Sequence, residues 1–393
     1  MTTVPPLPLS SPQVHADGRV TFRLWAPQAR CVSVCNTTGG YADWPCGNEV
    51  PLQRSEAGEW SVTLGPLAPE YYTYVYLVEG VATLDPGNTL TMRDGIRRGS
   101  SLRIPGALSS LYDIRAVPHG TVHQMWYPSP TLGMDRRMLV YTPPDYESGS
   151  QRYPVFYLLH GGGNDEEGWC DLGRAAQILD NLIAEGSALP MIVVMPNGNG
   201  TRPAAPDVVP VPPDYVRPAP GSHILRFADS LVPDLVPWVD AHLRTVPDRQ
   251  QRAIAGLSMG GAQTLYVALN KVDTFAWIGA FSAGLPLLPG VAVEIPAPAN
   301  AELLRGPDIT RTIDPDRMAA LLNEPGPALN DQLRQLHLTI GTLDGLITAH
   351  RALRGMLDDR SVRYTCTELE GYAHEWRFWR LALAAHLPTL FDR

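Results

Sequence analysis

One short segment restricts this chain more than any other. Gly256-Leu257-Ser258-Met259-Gly260-Gly261 stands between Arg252-Ala253-Ile254-Ala255, which reads as a strand, and Ala262-Gln263-Thr264-Leu265-Tyr266-Val267-Ala268-Leu269, which reads as a helix. A turn running straight from strand to helix around a serine strains that serine's backbone and leaves no room for side chains two residues before and after it. Gly256 and Gly260 fill those two places. The turn lifts Ser258 Oγ to the carboxyl edge of a sheet and lays the Met259 N–H at a helix N-terminus, where a developing oxyanion is favoured. Chemistry at an acyl carbon is the expectation that follows.

A serine hydroxyl is a weak nucleophile near neutral pH, so a base and an orienting acid must follow, in the order serine, acid, histidine. After Ser258 come His337, His350, His374 and His386. His337 lies within an alternating strand-type run and is expected to be a packed or edge side chain. His350 and His386 sit in helical patterns, where surface positions are expected. His374 alone follows a strand end: residues 362–369 alternate, Gly371 punctuates, and a helix starts at Glu375. The expected acid is Asp344, in Thr342-Leu343-Asp344-Gly345 directly after the strand 338–341. Asp314, Asp316 and Asp331 fall in irregular or helical sequence ahead of that strand, where a solvated charge or a helix cap accounts for them, and Glu370 ends the wrong strand.

A second oxyanion donor is expected on a glycine-rich loop after an earlier strand. Residues 153–159 form a nearly continuous apolar run, suited to a strand buried on both faces, and His160-Gly161-Gly162-Gly163 follows at once. Three glycines let the backbone approach a substrate closely. No Gly-Lys-Ser/Thr follows, so the loop does not read as a phosphate cradle. Gly162 is the expected donor beside Met259, with Gly161 next; His160 precedes the elbow and is expected to be structural.

These residues carry a resemblance. Arg136-Arg137-Met138-Leu139-Val140-Tyr141-Thr142-Pro143-Pro144-Asp145-Tyr146, the run from Tyr153 to Gly163 with Trp169, the elbow, Gly341-Thr342-Leu343-Asp344 and His374-Glu375-Trp376-Arg377-Phe378-Trp379-Arg380 are its matching stretches. From about Met125 to Phe391 the chain resembles the esterase-D-type α/β hydrolases of the carbohydrate-esterase and feruloyl-esterase group, relatives of enterochelin esterases and mycolyltransferases. The resemblance implies a catalytic triad of Ser258, Asp344 and His374. One departure stands beside the base: similar enzymes usually place glycine before the histidine, whereas this chain has Ala373.

The first hundred residues follow a different rhythm. Residues 18–27, 31–35, 59–64 and 71–78 alternate as short strands, with glycine and proline clusters between them and no helical pattern. An antiparallel β-sandwich is expected. Phe22-Arg23-Leu24-Trp25-Ala26-Pro27 and Leu84-Asp85-Pro86-Gly87-Asn88 make this segment similar to the early-set immunoglobulin-like module that precedes glycogen-active enzymes and several esterases. Exposed aromatics there would stack on sugar rings, but a sandwich core needs Trp25, Trp60 and several tyrosines for packing. A structural or site-covering module is the favoured reading. The boundary is expected within residues 105–115, giving a sandwich over 1–108 and an α/β-hydrolase domain with a mostly parallel sheet over 109–393. Helices are expected over 174–185 and 223–243, and strands over 191–195 and 275–282. Two proline-rich segments, 201–221 and 284–335, interrupt this alternation and are expected to form the lid and acyl pocket. Trp169 and Trp376 are candidate substrate-binding residues with Gly161, while Trp379 reads equally as an acyl-pocket wall or as core.

Composition excludes other classes. A net charge of −9 and a pI near 5.6 argue against nucleic acid or an anionic membrane as a partner. No apolar run reaches the ~18 residues of a membrane span, and the first residues lack the pattern of a signal peptide, so a cytoplasmic location is the expectation. Cys31, Cys35, Cys46, Cys170 and Cys366 are odd in number and lack metal-ligand spacing; free thiols are expected, and no metal or organic cofactor. The expected reaction is ester hydrolysis through an acyl-enzyme. By resemblance, the substrate is a feruloyl or acetyl ester of a plant-type sugar, offered as a small ester or a substituted oligosaccharide. A siderophore-trilactone esterase, an acyltransferase, a peptidase of the same fold and a glucan-binding module with an inert hydrolase domain are the alternatives, and a homo-oligomer is compatible with the sequence.

Overall fold

The computed structural model describes residues 10–37, 40–41, 43–45, 47–209, 222–283 and 329–391. The chain divides into two compact units: among the described residues the first comprises those up to Asp113 together with Glu375–Arg377, and the second the remainder from Ile114.

The first unit is all β. Its main strands are β1 (Val20–Trp25), β2 (Val32–Asn36), β3 (Glu59–Leu64), β4 (Tyr71–Val78) and β5 (Arg97–Arg103). All their pairings are antiparallel: β1 pairs β3 in one sheet, and β5, β4 and β2 run side by side in another. The period-two pattern has the physical cause expected of it, since alternate residues such as Val32, Val34 and Asn36 turn inward. Most of the aromatics are spent on packing, but Trp25, expected in the core, is only half-buried. Phe22 meets Tyr74 edge-on at 4.9 Å and Trp44 at 5.4 Å, and Trp44, Trp60, Tyr72, Tyr74 and Tyr76 are all buried.

The second unit is built on one eight-stranded sheet. In chain order its strands are β6 (Thr121–Ser129), β7 (Met134–Thr142), β8 (Val155–Leu159), β9 (Ile192–Pro196), β10 (Arg252–Leu257), β11 (Trp277–Phe281), β12 (Gln335–Gly341) and β13 (Thr365–Leu369). Their order across the sheet is β6-β7-β9-β8-β10-β11-β12-β13. The first two pairings are antiparallel and the rest parallel. Strands β8, β9, β10 and β11 are buried along their whole length, which is why they read as unbroken apolar runs. Helices α1 (Ala175–Ala184), α2 (Met259–Asn270), α3 (Ile347–Asp359) and α4 (Trp376–His386) accompany the sheet.

Three expectations need correction. The helix read over 223–243 is broken in register: Ser222–Ser230 and Val236–His242 flank a π-helical turn, Leu231–Leu235. Pro233 and Pro237 lack the N–H that a regular ladder would use there. The second correction concerns the helical histidines. His350 and His386 are fully buried rather than on the surface; burial lowers His350 to about 4 and His386 to about 3. His386 packs under the sheet against Phe156, Phe281 and His337. Periodicity marked each position as helical but did not say which face turned inward. Third, Trp169 is 1% exposed, and its indole N–H is tied to the Leu159 carbonyl at 2.9 Å. It is a core residue beneath the glycine-rich loop, not a wall open to an acyl group.

Of the two proline-rich segments, residues 210–221 and 284–328 lie outside the described residues, and Asp314 and Asp316 with them. The described base of the first is firmly held. Arg137 N–H donates to the Pro203 carbonyl at 2.7 Å, and Ala205 N–H to Glu166 Oε1 at 3.0 Å.

Candidate active site

Ser258 occupies the turn between β10 and α2 with φ 52° and ψ −115°, a backbone region that non-glycine residues rarely enter. The flanking glycines show why it is held there. A Cβ on Gly260 would lie 2.5 Å from the His160 carbonyl oxygen and 2.6 Å from that of Leu159, while one on Gly256 would run into the Gly260 backbone. The elbow therefore closes only with hydrogen at both positions. Met259 is the first helical residue, so its N–H has no acceptor within the helix.

Asp344 and His374 arrive on the loops that follow β12 and β13. Those loops are laced together: Thr342 N–H donates to the Leu369 carbonyl at 3.0 Å, and Leu343 N–H to the Tyr372 carbonyl at 2.9 Å. The Thr342 hydroxyl accepts Gly371 N–H at 3.0 Å. The positive φ of 79° in the histidine loop falls on Gly371, and Ala373 is not among the left-handed residues. Alanine in place of the usual glycine thus costs the backbone nothing.

The three side chains meet. His374 Nδ1 lies 2.9 Å from Asp344 Oδ2 and 3.1 Å from Oδ1, and His374 Nε2 lies 3.0 Å from Ser258 Oγ. An ionised carboxylate only accepts, so Nδ1 carries the proton and Nε2 accepts from the serine hydroxyl. Asp344 is 1% exposed. Burial pushes its carboxyl up, but the His374 imidazole and the hydrogen bonds from His374, Leu346 N–H and Ser282 outweigh that, leaving it below the ordinary value. Asp331 and Glu370, the rival carboxylates among the described residues, are not brought to Ser258 or His374 by any of these bonds.

The glycine-rich loop is oriented by its own histidine. His160 Nε2 accepts the Gly198 N–H at 2.7 Å, so the ring proton sits on Nδ1 and is donated to the Gly161 carbonyl at 2.8 Å. Gln263 holds the far side of Gly198, its amide donating to the Gly198 carbonyl at 2.9 Å. Gly161 itself is buried against the elbow, where a side chain would collide with Leu257 and touch Ser258. Gly162, next in the loop, is exposed. Below the loop, Arg137 pairs with Glu166 and Glu167, and Asn197 donates to Glu166 at 2.8 Å. Trp376 opens α4 with 7% of its surface exposed.

Two participants escaped the sequence reading. Ser282, just past β11, is fully buried with φ 45°, and the Trp379 indole N–H donates to its hydroxyl at 3.0 Å. Gly198 follows β9 and is clamped by His160 and Gln263. The Ser282-Ala283-Gly284 sequence after an apolar strand was the available signal for the first; nothing local marks the second. Among the described residues no cluster of metal-ligating side chains occurs, and no helix is long and apolar enough to cross a membrane. Among the described residues Cys31, Cys170 and Cys366 are free thiols.

A mostly parallel sheet with a nucleophile elbow after its central strand, and an acid and a histidine on later strand ends, defines an α/β hydrolase. Residues 129–390 match the family described as "Putative esterase", and the chain belongs to that esterase family. Residues 10–94 match carbohydrate-binding module 48, the isoamylase N-terminal domain. An endo-1,4-beta-xylanase/feruloyl esterase of Xylanibacter ruminicola is 33% identical over 280 residues, 70% of this chain and 36% of that protein. An esterase of Mycobacterium tuberculosis is 29% identical over 226 residues, 54% of this chain and 44% of that one. The chain thus spans less than half the length of these curated relatives. Among solved structures, a ferulic acid esterase superposes with a TM-score of 0.54 at 26% identity, covering 69% of this chain and 97% of that one. An enterobactin esterase of Shigella flexneri gives 0.63 at 18% identity, covering 95% and 92%; at that identity the likeness is one of fold.

Proposed function

We propose that this chain is a serine esterase that hydrolyses carboxylic esters through an acyl-enzyme, with hydroxycinnamoyl or acetyl esters of plant polysaccharide sugars as its substrates. The observation that carries the reaction is the unbroken line from Asp344 through His374 to Ser258 Oγ, with 2.9 and 3.0 Å links. His374 takes the hydroxyl proton as Ser258 attacks the ester carbonyl, and Asp344 fixes the tautomer and stabilises the imidazolium. His374 then gives that proton to the leaving alkoxide. Water, deprotonated by the same ring, releases the acid.

The oxyanion falls to two backbone donors. Met259 N–H is free of the helix ladder, and Gly162 N–H is aimed by the peptide that precedes it. In a trans peptide the carbonyl and the following N–H point opposite ways. With the Gly161 carbonyl drawn back to His160, the Gly162 N–H faces away from that ring. Each such donor is worth on the order of 10²-fold in turnover.

The substrate class is supported by the Xylanibacter relative, whose name joins xylanase with feruloyl esterase, and by the ferulic acid esterase of similar fold. A second reading, a catecholate-trilactone esterase, is favoured by one observation: the enterobactin esterase matches the fold over 95% of this chain, sandwich included. A panel of methyl ferulate, p-nitrophenyl acetate, acetylated xylo-oligosaccharide and a catecholate trilactone separates the two. Hydrolysis of the ferulate and acetyl esters is expected, with Ser258→Ala inactive on all. A trilactone preference of ten-fold or more in kcat/KM overturns the substrate assignment, and a wild-type rate in Ser258→Ala overturns the reaction.

A further inference from the structure

The two oxyanion donors come from different elements: Met259 N–H opens α2, and Gly162 N–H belongs to the loop after β8. Neither segment by itself sets the position of the other. The turn after β9 meets both. One helical turn beyond Met259, and so on the same face of α2, stands Gln263. It is fully buried, and its side-chain amide donates to the Gly198 carbonyl at 2.9 Å. Gly198 turns its own N–H to His160 Nε2 at 2.7 Å, and the other nitrogen of that ring donates to the Gly161 carbonyl at 2.8 Å. The Gly161 carbonyl and the Gly162 N–H are the two ends of one planar peptide group, so fixing the first fixes the second. Hydrogen bonds thus run without a gap from the helix that bears one donor to the peptide that bears the other.

Gly198 is the meeting point. A Cβ there would stand 3.1 Å from Gln263 Oε1, 3.3 Å from His160 Nε2 and 3.5 Å from Met259 Cε, so its backbone lies close against all three residues. It is also held from behind. The Asn197 carbonyl, which shares a peptide with the Gly198 N–H, accepts from the fully buried Arg136 guanidinium, and the Asn197 side chain donates to Glu166 at 2.8 Å. A cationic donor on a peptide carbonyl strengthens the N–H at its other end. On the inward face of α2 an apolar side chain would fill the place of Gln263 without the cost of burying an amide. What the amide adds is its hold on Gly198.

We propose that Gln263, acting through Gly198 and His160, is a positioning residue that keeps the Gly162 and Met259 N–H groups aimed at one point, the place of the oxyanion in acyl transfer. The inference rests on the reading of Ser258 as the nucleophile and of these two N–H groups as the oxyanion donors. Preorganised donors stabilise charge that develops only in the transition state, so misaiming one slows the reaction without weakening the hold on substrate.

The test uses the full chain with Gln263→Leu, His160→Ala, the double variant and Ser258→Ala. Each is assayed on p-nitrophenyl acetate and methyl ferulate and for inhibition by phenylboronic acid, which forms a tetrahedral adduct on a serine nucleophile, with melting temperatures alongside. Leucine fills nearly the same buried space and removes the donor. Gln263→Leu should lower kcat about ten-fold with KM changed less than about two-fold, and should weaken the boronate about ten-fold in parallel. His160→Ala, which releases the Gly161 carbonyl itself, should lower kcat about 10²-fold. The double variant should be no slower than His160→Ala, because the glutamine reaches the loop only through the histidine. Wild-type kcat in Gln263→Leu, a loss of kcat that leaves boronate affinity unchanged, or multiplied losses in the double variant overturns the proposal, while an inactive Ser258→Ala leaves the reaction itself standing. An active Ser258→Ala removes the reading on which the proposal rests. If Gln263→Leu does not fold, Gln263→Met, of similar length and without a donor, gives the same comparison: kcat and boronate affinity falling together support the proposal, and wild-type values overturn it.

Discussion

Each unit of this chain contains a nearly fully buried aspartate, and the two are held in opposite ways. In the sandwich, Asp85 is 2% exposed and receives Ser11 Oγ at 2.6 Å, Tyr74 OH at 2.7 Å and Gly87 N–H at 2.8 Å. Burial, with the aspartate's charge behind it, pushes the Tyr74 and Tyr76 hydroxyls above their ordinary range, so they remain donors at any physiological pH. Asp344, 1% exposed, receives the Leu346 N–H at 2.9 Å and lies 2.9 Å from Nδ1 of His374, whose other ring nitrogen stands 3.0 Å from Ser258 Oγ. A buried charge ringed only by permanent donors is an anchor. Under the proposed function, exchanging one of those donors for an imidazole that reaches Ser258 makes the same kind of group part of the reaction.

That contrast is open to attack. Asp344→Asn should lower kcat by about 10⁴-fold through the wrong imidazole tautomer while leaving the melting temperature near wild type; a loss under ten-fold breaks the comparison on its reactive side. Asp85→Ala should do the reverse. Stranding buried hydroxyls should cost about 2–4 kcal/mol, read by urea denaturation, with kcat/KM on p-nitrophenyl acetate within two-fold of wild type wherever the variant is folded. A smaller effect is expected at His386. The unfolded chain binds a proton near pH 6.5 and the folded one only near about 3, so this group's stabilisation is complete above pH 6.5 and lost as pH falls toward 3. His386→Leu should flatten the decline of unfolding free energy with falling pH relative to wild type, and parallel curves would refute the assignment. Ala373→Gly should be the mildest, with kcat changed less than about two-fold, because no left-handed backbone awaits the glycine. A gain of ten-fold would mean that alanine does restrict the histidine loop.

What the sequence disclosed follows from how local each constraint is. The meeting of Ser258, Asp344 and His374 was legible because the elbow's steric demands lie within five residues and because chain order and strand ends narrow the other two choices. The fully buried strands β8 to β11 announced themselves as apolar runs. Contacts between distant strands left no such trace. Ser282 lies 97 positions from Trp379, whose indole N–H it accepts, and no periodicity links them. His350 and His386 were misplaced because a helical period identifies faces without saying which one is covered. Trp169 looked available for the same reason, its bond to Leu159 being a matter of how the loop folds back.

The strand order across the sheet has one more consequence. Parallel strands are spaced by their hydrogen bonds at about 4.8 Å, so β10 and β12 stand roughly 10 Å apart with β11 between them. The sheet thereby acts as a ruler for the strand ends: the points from which the segments bearing Ser258 and Asp344 depart are spaced in peptide units that no side-chain substitution can alter. A residue at the end of β11 must fill the middle mark, and here it is Ser282. Changes confined to the loops above the ruler would leave its graduations as they are.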